Sequence, residues 1–307
     1  SEMCIRDSNQ GIELTLNTTN IKNRHFSWTT NFNIAFNKNK VLELAENQSS
    51  LLSAAKFDQN YNSQYSYIAK VGYPMGMMYG FIYEGTYKYE DFDKVGDTYT
   101  LKRNVPYFSS ESNTQPGMPK YADLNGDGII DDNDRTMIGN GMPKHTGGFT
   151  NNFEYKGFDL SIFFQWSYGN DVLNANRLFF ENSNKTRDLN QYASYADRWT
   201  PENPESNIPR ATDSGSNKVF STRIIEDGSF LRLKTVSLGY TLPKQLTKKW
   251  KIDNARVFVA GQNLWTCTGY SGYDPEVSIR EGALTPGLDF SAYPRAYSIS
   301  FGINLGF

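Results

Sequence analysis

Residues 148–168, GFTNNFEYKGFDLSIFFQWSY, contain two consecutive segments in which apolar and polar residues alternate. On either side of Lys156-Gly157, apolar residues occupy every second position except that of Asn151, with polar residues between most of them. The apolar set is Phe149, Phe153, Tyr155, Phe158, Leu160, Ile162, Phe164, Trp166 and Tyr168. A period of two places alternate side chains on opposite faces of a strand. The stretch therefore predicts two antiparallel strands, 147–156 and 158–168, joined by a tight turn.

The same period recurs along the chain and indicates an all-β protein. HFSWTTNFNIAF places Phe26, Trp28, Phe32, Ile34 and Phe36 on one face, and AYSISFGINLGF carries the same alternation up to Phe307. Further strands are predicted at 11–17, 25–36, 229–242, 254–264 and 295–307. In the strand at 229–242 the apolar parity changes, which predicts a bulge near Lys234 and Thr235.

The lengths of the connections alternate between short and long. Short ones follow residue 17, residue 156 and residue 242, whereas long ones cover 37–146, 169–228 and 265–294. This segregation is typical of an antiparallel transmembrane β-barrel, whose periplasmic turns are short and whose extracellular loops are long. We therefore expect 37–146 to be a long extracellular excursion, with the strand-rich segment 72–89 inside it rather than in the barrel wall.

Composition excludes other classes. The net charge of -2 offers no basic surface, so we expect no nucleic-acid partner. No apolar run is long enough for a membrane-spanning helix. His25 and His145 lie far apart without metal-ligand spacing, and no nucleophile or phosphate-binding motif occurs. We expect no enzymatic activity and no catalytic residues.

The beginning of the chain predicts that it is part of a longer protein. SEMCIRDS, residues 1–8, resembles a translated adaptor from sequencing-library preparation, and an ordinary polar tail is the alternative. Strand-like sequence follows at once, without a signal peptide. Seven predicted strands are also an odd number, whereas single-chain bacterial barrels have an even number. We expect residues 9–307 to be the C-terminal portion of a larger barrel.

Several motifs together resemble one family. They are GYPMGMMYGF (72–81), PKYADLNGDGIIDDND (119–134), RWTPENPESNIPRA (198–211), DGSFLRLKTVSLGYTLP (227–243) and GQNLWTCTGYSGYDPEV (261–277). In this order they resemble the C-terminal third of SusC/RagA-family TonB-dependent outer-membrane transporters of Bacteroidetes. The resemblance implies a barrel of about 22 strands with a plug, set in outer-membrane lipid. It also implies energy from TonB, a SusD-like lipoprotein lid, and import of oligosaccharides or peptides.

The segment YADLNGDGIIDDNDRTMIG, 121–139, matches the spacing of a 12-residue calcium loop. Residues with side-chain oxygens occupy positions 1, 3, 5, 9 and 12 of the loop. The backbone carbonyl of position 7 supplies one more oxygen, and Gly128 occupies position 6. The candidate ligands of Ca²⁺ are Asp123, Asn125, Asp127, Ile129, Asp131 and Asp134. The departure is Asp134, where an EF-hand has Glu. The alternative is a set of solvated Asx turns. We expect a structural brace on the extracellular side.

Exposed aromatic rings could stack on sugars, although an interfacial aromatic girdle explains many of them. Candidates near the long loops are Tyr73, Tyr79, Trp199, Trp265, Tyr270 and Tyr273. The alternative function is a secreted, calcium-stabilised β-sandwich that binds carbohydrate. The two folds differ in the apolar strand faces, which contact lipid in a barrel and are buried between two sheets in a sandwich.

Overall fold

The computed structural model describes residues 5–59, 61–182, 189–212, 219–279 and 282–307. Cys4 and the rest of the first four residues lie outside this part. Seven long strands form one sheet, and we number them in chain order. They are β1 (Arg6–Lys22), β2 (Phe26–Glu43), β3 (His145–Tyr155), β4 (Phe158–Tyr168), β5 (Phe230–Thr241), β6 (Asn254–Thr268) and β7 (Ser298–Gly306).

The sheet is an antiparallel meander, because each strand pairs with its neighbours in the sequence. Connections at one end are short, spanning 23–25, 156–157 and 242–253. The last of these contains a four-residue helix, Lys244–Thr247. Lys156 and Gly157 both have positive φ, 46° and 90°, as a two-residue hairpin turn requires. The predicted segregation of short and long connections is confirmed.

The register aligns the apolar residues of all seven strands on one face. Successive cross-strand pairs are Leu16–Phe32, Phe32–Phe149, Phe149–Phe164, Phe164–Leu233, Leu238–Val259 and Val259–Phe301. This face is open, since Ile12 is 73% exposed and Phe301 is 82% exposed. A β-sandwich would bury these side chains between its sheets, so the alternative of a sandwich is wrong. The exposed apolar band is that of a barrel wall.

The opposite face of the sheet is polar and closely packed. Arg256 forms a bidentate ion pair with Asp159 across two strands. Its guanidinium also lies 5.1 Å from the ring of Phe258. Gly239 and Gly302 leave the room for these side chains, because a Cβ at either glycine would lie 2.3 Å from Arg256 or Phe258 respectively.

The three long connections, 44–144, 169–229 and 269–297, lie at the other end of the sheet. Among their described residues, one segment is α-helical, Asn176–Phe180. Their short strands are Ser50–Ser53, Tyr67–Lys70, Met77–Gly80, Tyr83–Thr86, Phe92–Val95, Thr98–Leu101, Tyr107–Phe108, Pro119–Tyr121, Ile129–Ile130, Thr136–Asn140, Asp171–Asn174, Ile225–Asp227 and Leu288–Asp289. We call this part the loop layer.

The loop layer has a hydrophobic core of its own. Its largest cluster draws buried side chains from all three connections: Ala55, Tyr61, Tyr67, Met78, Leu173, Ala175, Leu178, Phe220, Ile224 and Leu288. Burial of this surface stabilises long segments that contain little regular structure. The segment 72–89 belongs to this layer and not to the seven-stranded sheet, as predicted.

Several predicted boundaries were wrong. Strand β1 begins at Arg6 rather than at residue 11 and continues to Lys22. Strand β2 continues to Glu43, so the first long connection is 44–144 rather than 37–146. Polar residues flank both apolar runs, and cross-strand pairing extends the strands beyond the alternation. The bulge is confirmed, because the register between β4 and β5 shifts at Lys234.

None of the helices in the described ranges is both long and apolar enough to cross a membrane.

Candidate functional site

The predicted cation loop connects two strands of the loop layer. It follows Pro119–Tyr121, which pairs with Tyr83–Thr86, and precedes Thr136–Asn140, which pairs with Met77–Gly80. Ile130 anchors its middle, since it is 1% exposed and packs in a cluster with Phe81 and Tyr121. The loop therefore projects from a packed base.

Polar side chains at alternate positions organise the first half of this loop. Asp123 accepts hydrogen bonds from the N–H groups of Gly126 (2.7 Å) and Gly128 (2.8 Å). Asn125 accepts one from Asp127, and Asp127 accepts one from Ile129. Gly126 and Gly128 adopt positive φ, 75° and 85°, which lets the backbone wrap around these oxygens. These contacts are the Asx turns of the alternative interpretation.

Asp134 closes the second half of the loop. It is fully buried and accepts hydrogen bonds from the N–H groups of Leu124, Asn125 and Asp131. A short aspartate arm is suited to this contact, because the backbone lies directly against it. Asp131 is exposed and accepts a bond from Asn133. Asp134, at position 12 of the loop, thus joins the start of the loop to its end.

The carboxylates of the loop retain accepting capacity, because an ionised carboxylate has about four lone-pair positions. Asn125, Asp127, Ile129 and Asp131 are exposed and Asp123 is half-buried. In the described part of the chain, no three His, Cys, Asp or Glu side chains converge as a metal centre. The six predicted ligands share one loop, with an amide and a backbone carbonyl among them.

The candidate stacking aromatics differ in their exposure. Trp199 is 4% exposed and Tyr270 is 6% exposed, so both are structural. Trp265 lies opposite Leu233 on the apolar face of the sheet. Tyr273 is 83% exposed in the loop layer. Among these residues, Tyr273 best retains a free ring face.

A buried ion-pair cluster joins the sheet to the loop layer. Arg232 of β5 donates a 2.5 Å hydrogen bond to Asp274, and its other terminal nitrogen lies 3.4 Å from Glu276. Arg295 reaches the same two carboxylates. Burial alone would raise the pKa of Asp274, but the hydrogen bonds from Arg232 and from the N–H groups of Glu276 and Arg295 hold it below its usual range.

A second ionic cluster lies wholly within the loop layer. Arg177 donates hydrogen bonds to Glu226 (2.7 Å) and Glu181 (3.0 Å), and Arg223 pairs with Glu181 at 2.9 Å. Burial would raise the pKa of Glu226, but the N–H and hydroxyl of Ser271, with other donors, keep it low. Both clusters escaped the sequence analysis, because most of their pairs, such as Arg177–Glu226, Arg223–Glu181 and Arg232–Asp274, join residues more than 40 positions apart.

The histidines have structural neighbours. His145 begins β3, where its Nδ1 accepts a 3.1 Å hydrogen bond from the indole of Trp166 and its ring stacks on Tyr168. His25 lies in the turn between β1 and β2.

Known proteins of one kind are similar to almost the whole chain. TonB-dependent receptor P3 of Formosa agariphila is 34% identical over 306 residues, which cover 97% of this chain and 28% of the receptor. TonB-dependent receptor SusC of Bacteroides thetaiotaomicron is 25% identical over 303 residues. The chain belongs to the SusC/RagA family of TonB-dependent receptors. It spans less than a third of the length of the receptors it matches. No protein-family model matches it.

Solved structures share the fold of this chain. The RagAB peptide transporter superimposes with a TM-score of 0.74 over 98% of this chain and 29% of that one, at 24% identity. The RagAB peptide importer in its "open-open" state gives a TM-score of 0.72 at 25% identity. The fold of the described residues is therefore that of the transporter's barrel. The antiparallel barrel-wall prediction is confirmed.

The SusC/RagA motifs now have structural roles. In RWTPENPESNIPRA, Trp199 packs on Gly117 and the guanidinium of Arg210 lies 5.5 Å from its ring. Two other motifs meet at the ion pair between Arg232 and Asp274. These motif residues connect the loop segments to one another and to the wall.

Proposed function

We propose that this chain is a C-terminal wall segment of an outer-membrane channel that imports solutes with energy from TonB. The observation that carries the proposal is the open apolar face across seven antiparallel strands, with all long connections at one end. Such a face is stable against lipid and unfavourable in water. The similarity to TonB-dependent receptors supports the same conclusion.

In this proposal the chain supplies passive parts of the transporter. The apolar face contacts outer-membrane lipid, and the polar face with Arg256 and Asp159 borders the lumen. The loop layer faces the cell exterior, where a SusD-like lipoprotein would close over it. Oligosaccharides or peptides are the proposed substrates. The structurally similar RagAB protein is a peptide transporter, which supports peptides as one of the two classes. A plug and a TonB-contacting segment would lie elsewhere in the complete protein.

Fractionation of cells that express the complete protein tests this function. We expect the protein in the outer membrane, with faster migration in a detergent gel before boiling than after it, since a closed barrel resists detergent. Uptake of the oligosaccharide or peptide substrate should cease in a TonB-deficient strain. A protein recovered in the aqueous phase and unchanged by boiling would contradict the proposal.

We also propose that the loop 123–134 binds one Ca²⁺ as a structural brace. The support is the spacing of its oxygens, the positive φ of Gly126 and Gly128, and a buried Asp134 that holds the two halves together. Oxygen ligands on a tight loop suit a hard cation, and weak sites suffice outside the cell. The ion would offset the repulsion among Asp123, Asp127 and Asp131, and no catalytic step is assigned to it.

The calcium proposal is tested by thermal unfolding of the complete receptor in detergent, with added Ca²⁺ and with chelator. The wild type should unfold at a higher temperature with Ca²⁺. The double variant Asp123→Asn with Asp127→Asn should lose that difference. Asp132→Asn is the matched control, because Asp132 pairs with Arg135 and is not a predicted ligand. Equal unfolding temperatures of the wild type in both conditions would refute the site.

A further inference from the structure

The connection between β5 and β6, residues 242–253, forms a compact turn at the end of the sheet that carries the short connections. Lys244–Thr247 form an α-helix, and Lys248–Trp250 continue it as a 3₁₀ turn. The N–H of Leu242 donates a 2.9 Å hydrogen bond to a carbonyl of β6, and the N–H of Asp253 donates a 2.8 Å hydrogen bond to a carbonyl of β7. We call residues 242–253 the basic turn, and these bonds fix it against both strands.

The basic turn concentrates positive charge. Its sequence, LPKQLTKKWKID, contains four lysines and one acidic residue, Asp253, in a chain whose net charge is -2. The lysines are Lys244, Lys248, Lys249 and Lys251. All four are exposed, and none of the ion pairs among the described residues includes one of them. Like charges in so short a segment repel one another, and an anionic partner would offset this repulsion.

Leu246 and Trp250 form an apolar side of the basic turn. They lie four residues apart on consecutive helical turns, which places their side chains next to each other. Leu246 is 49% exposed and Trp250 is 64% exposed. Thr247, by contrast, is 1% exposed and faces the protein. An exposed indole among lysines combines an apolar body with a charged surround, which is typical of the interface between a membrane and water.

The basic turn adjoins the apolar face of the sheet. Ala255 of β6 lies opposite Leu305 on that face, yet Ala255 is only 5% exposed whereas Leu305 is 50% exposed. The helix of the basic turn packs against β6, so the turn covers this end of the face. On the two preceding strands the apolar face ends in Phe158 and Tyr240, whose rings lie 4.5 Å apart. The apolar side of the turn therefore continues the exposed apolar band.

We propose that the basic turn binds anionic phospholipids of the periplasmic leaflet of the outer membrane. Its lysines contact the lipid phosphate groups, and Leu246 and Trp250 insert beside the first carbons of the acyl chains. The inference rests on the proposed membrane function and adds a lipid partner to it. The loop layer faces the cell exterior in that function, so the short connections face the periplasm. Basic segments beside a membrane are attracted to anionic lipids, and a lysine on a flexible stem suits a mobile phosphate group.

A soluble acidic protein fits the basic turn less well. Carboxylates of such a partner would satisfy the lysines. The apolar side with Leu246 and Trp250, however, continues the face that contacts lipid in the proposed function, so lipid already surrounds it there. A phospholipid supplies the anionic group and the apolar chain in one molecule. The adjoining apolar band therefore favours a lipid partner.

Electron paramagnetic resonance of spin-labelled lipids tests the contact with phosphate groups. The complete receptor is reconstituted in phosphatidylcholine vesicles with a trace of spin-labelled phosphatidylglycerol or spin-labelled phosphatidylcholine, and the motionally restricted fraction measures association with the protein. We expect the wild type to prefer phosphatidylglycerol, and added salt should weaken this preference. Lys248→Gln with Lys249→Gln should reduce it by about twofold, since each lysine near the surface attracts anionic lipid. Lys94→Gln with Arg103→Gln is the control, because it removes the same charge from exposed positions of the loop layer.

Tryptophan fluorescence in the same vesicles tests the position of the apolar side. The contribution of Trp250 is the emission that is lost in Trp250→Phe. We expect phospholipids brominated near the headgroup to quench this contribution, whereas a water-soluble quencher should leave most of it. Quenching of the Trp250 emission from the water alone would place the basic turn outside the bilayer and overturn the proposal.

The outcomes separate this inference from the import function. Equal association of both lipids with the wild type, or a preference that the lysine variant retains, would overturn the lipid site. An equal loss in the control variant would show a general effect of net charge and would overturn it as well. TonB-dependent uptake would then still stand. Recovery of the wild type outside the outer membrane would instead contradict the proposed function. The substituted side chains are exposed, so the variants should fold, and heat-modifiable migration verifies that they do.

Discussion

Arg232 donates a 2.5 Å hydrogen bond to Asp274, and both residues are buried where β5 meets the loop layer. Forty-two residues separate them along the chain. A buried ion pair is a modest source of stability when both partners are present. Its loss is costly when one partner is removed, since the other charge then remains without compensation. The pair therefore contributes to the attachment of the last long connection to the sheet.

Asp274→Ala should destabilise the loop layer by about 3 kcal/mol, the lower end for a broken buried pair, because Glu276 stays within 3.4 Å of Arg232. Limited proteolysis of the receptor should cut the variant faster within 269–297. Glu43→Ala is the control, since it breaks an exposed 3.9 Å contact with Arg6. Equal cleavage of both variants would contradict a structural role for the pair.

Acidic pH should loosen both ionic clusters. The pKa values of Asp274 and Glu226 are lower in the folded protein than their usual values near 4, so these groups stabilise the fold above that pH. The contribution is lost as the pH falls below about 4 towards the folded-state pKa values. The unfolding temperature of the wild type should fall in that range. The unfolding temperature of Asp274→Asn should fall less steeply with decreasing pH. A slope as steep as that of the wild type would show that Asp274 does not contribute to the pH dependence.

The apolar face should not tolerate charge. Leu238 is 44% exposed on β5 and would lie in the hydrocarbon region of a membrane. Leu238→Arg should cost roughly 2–4 kcal/mol if it lies near the bilayer midplane and less towards either interface. The folded fraction in lipid vesicles, measured by heat-modifiable migration, should decrease. Leu238→Ala keeps the face apolar and should fold nearly as well as the wild type. Efficient folding of Leu238→Arg would contradict contact between this face and lipid.

Gly117 should resist substitution for two reasons. Its φ is +82°, and a Cβ there would lie 2.3 Å from the ring of Trp199. Gly96 has a φ of +61° but open space around it. Gly96→Ala should therefore show only the backbone cost of about 1–2 kcal/mol. Gly117→Ala should add about 1–3 kcal/mol of overpacking.

Thermal unfolding in detergent compares the two glycine variants directly. The unfolding temperature of Gly117→Ala should lie below that of Gly96→Ala. Equal unfolding temperatures would show that the indole of Trp199 moves aside without cost.

The sequence predicted the wall well because a strand in a two-faced sheet repeats every two residues. The hairpin around Lys156-Gly157 and the bulge at Lys234 both follow from that repeat. Strand β2 was predicted too short, because polar residues after Phe36 carry no alternation and only pairing with β1 extends the strand to Glu43. The calcium spacing in 123–134 stays a prediction.

The local pattern by itself therefore determined the all-β class, the two-faced strands, the order of short and long connections and the resemblance to one family. Only the tertiary structure decided which distant residues meet. The pair Arg232–Asp274 joins β5 to the last long connection, and the packing of Trp199 on Gly117 joins the first two connections. The physical reason is the separation along the chain of the residues that interact. Alternation is set by neighbouring residues along one strand, whereas contacts in the loop layer depend on how three long segments fold against one another.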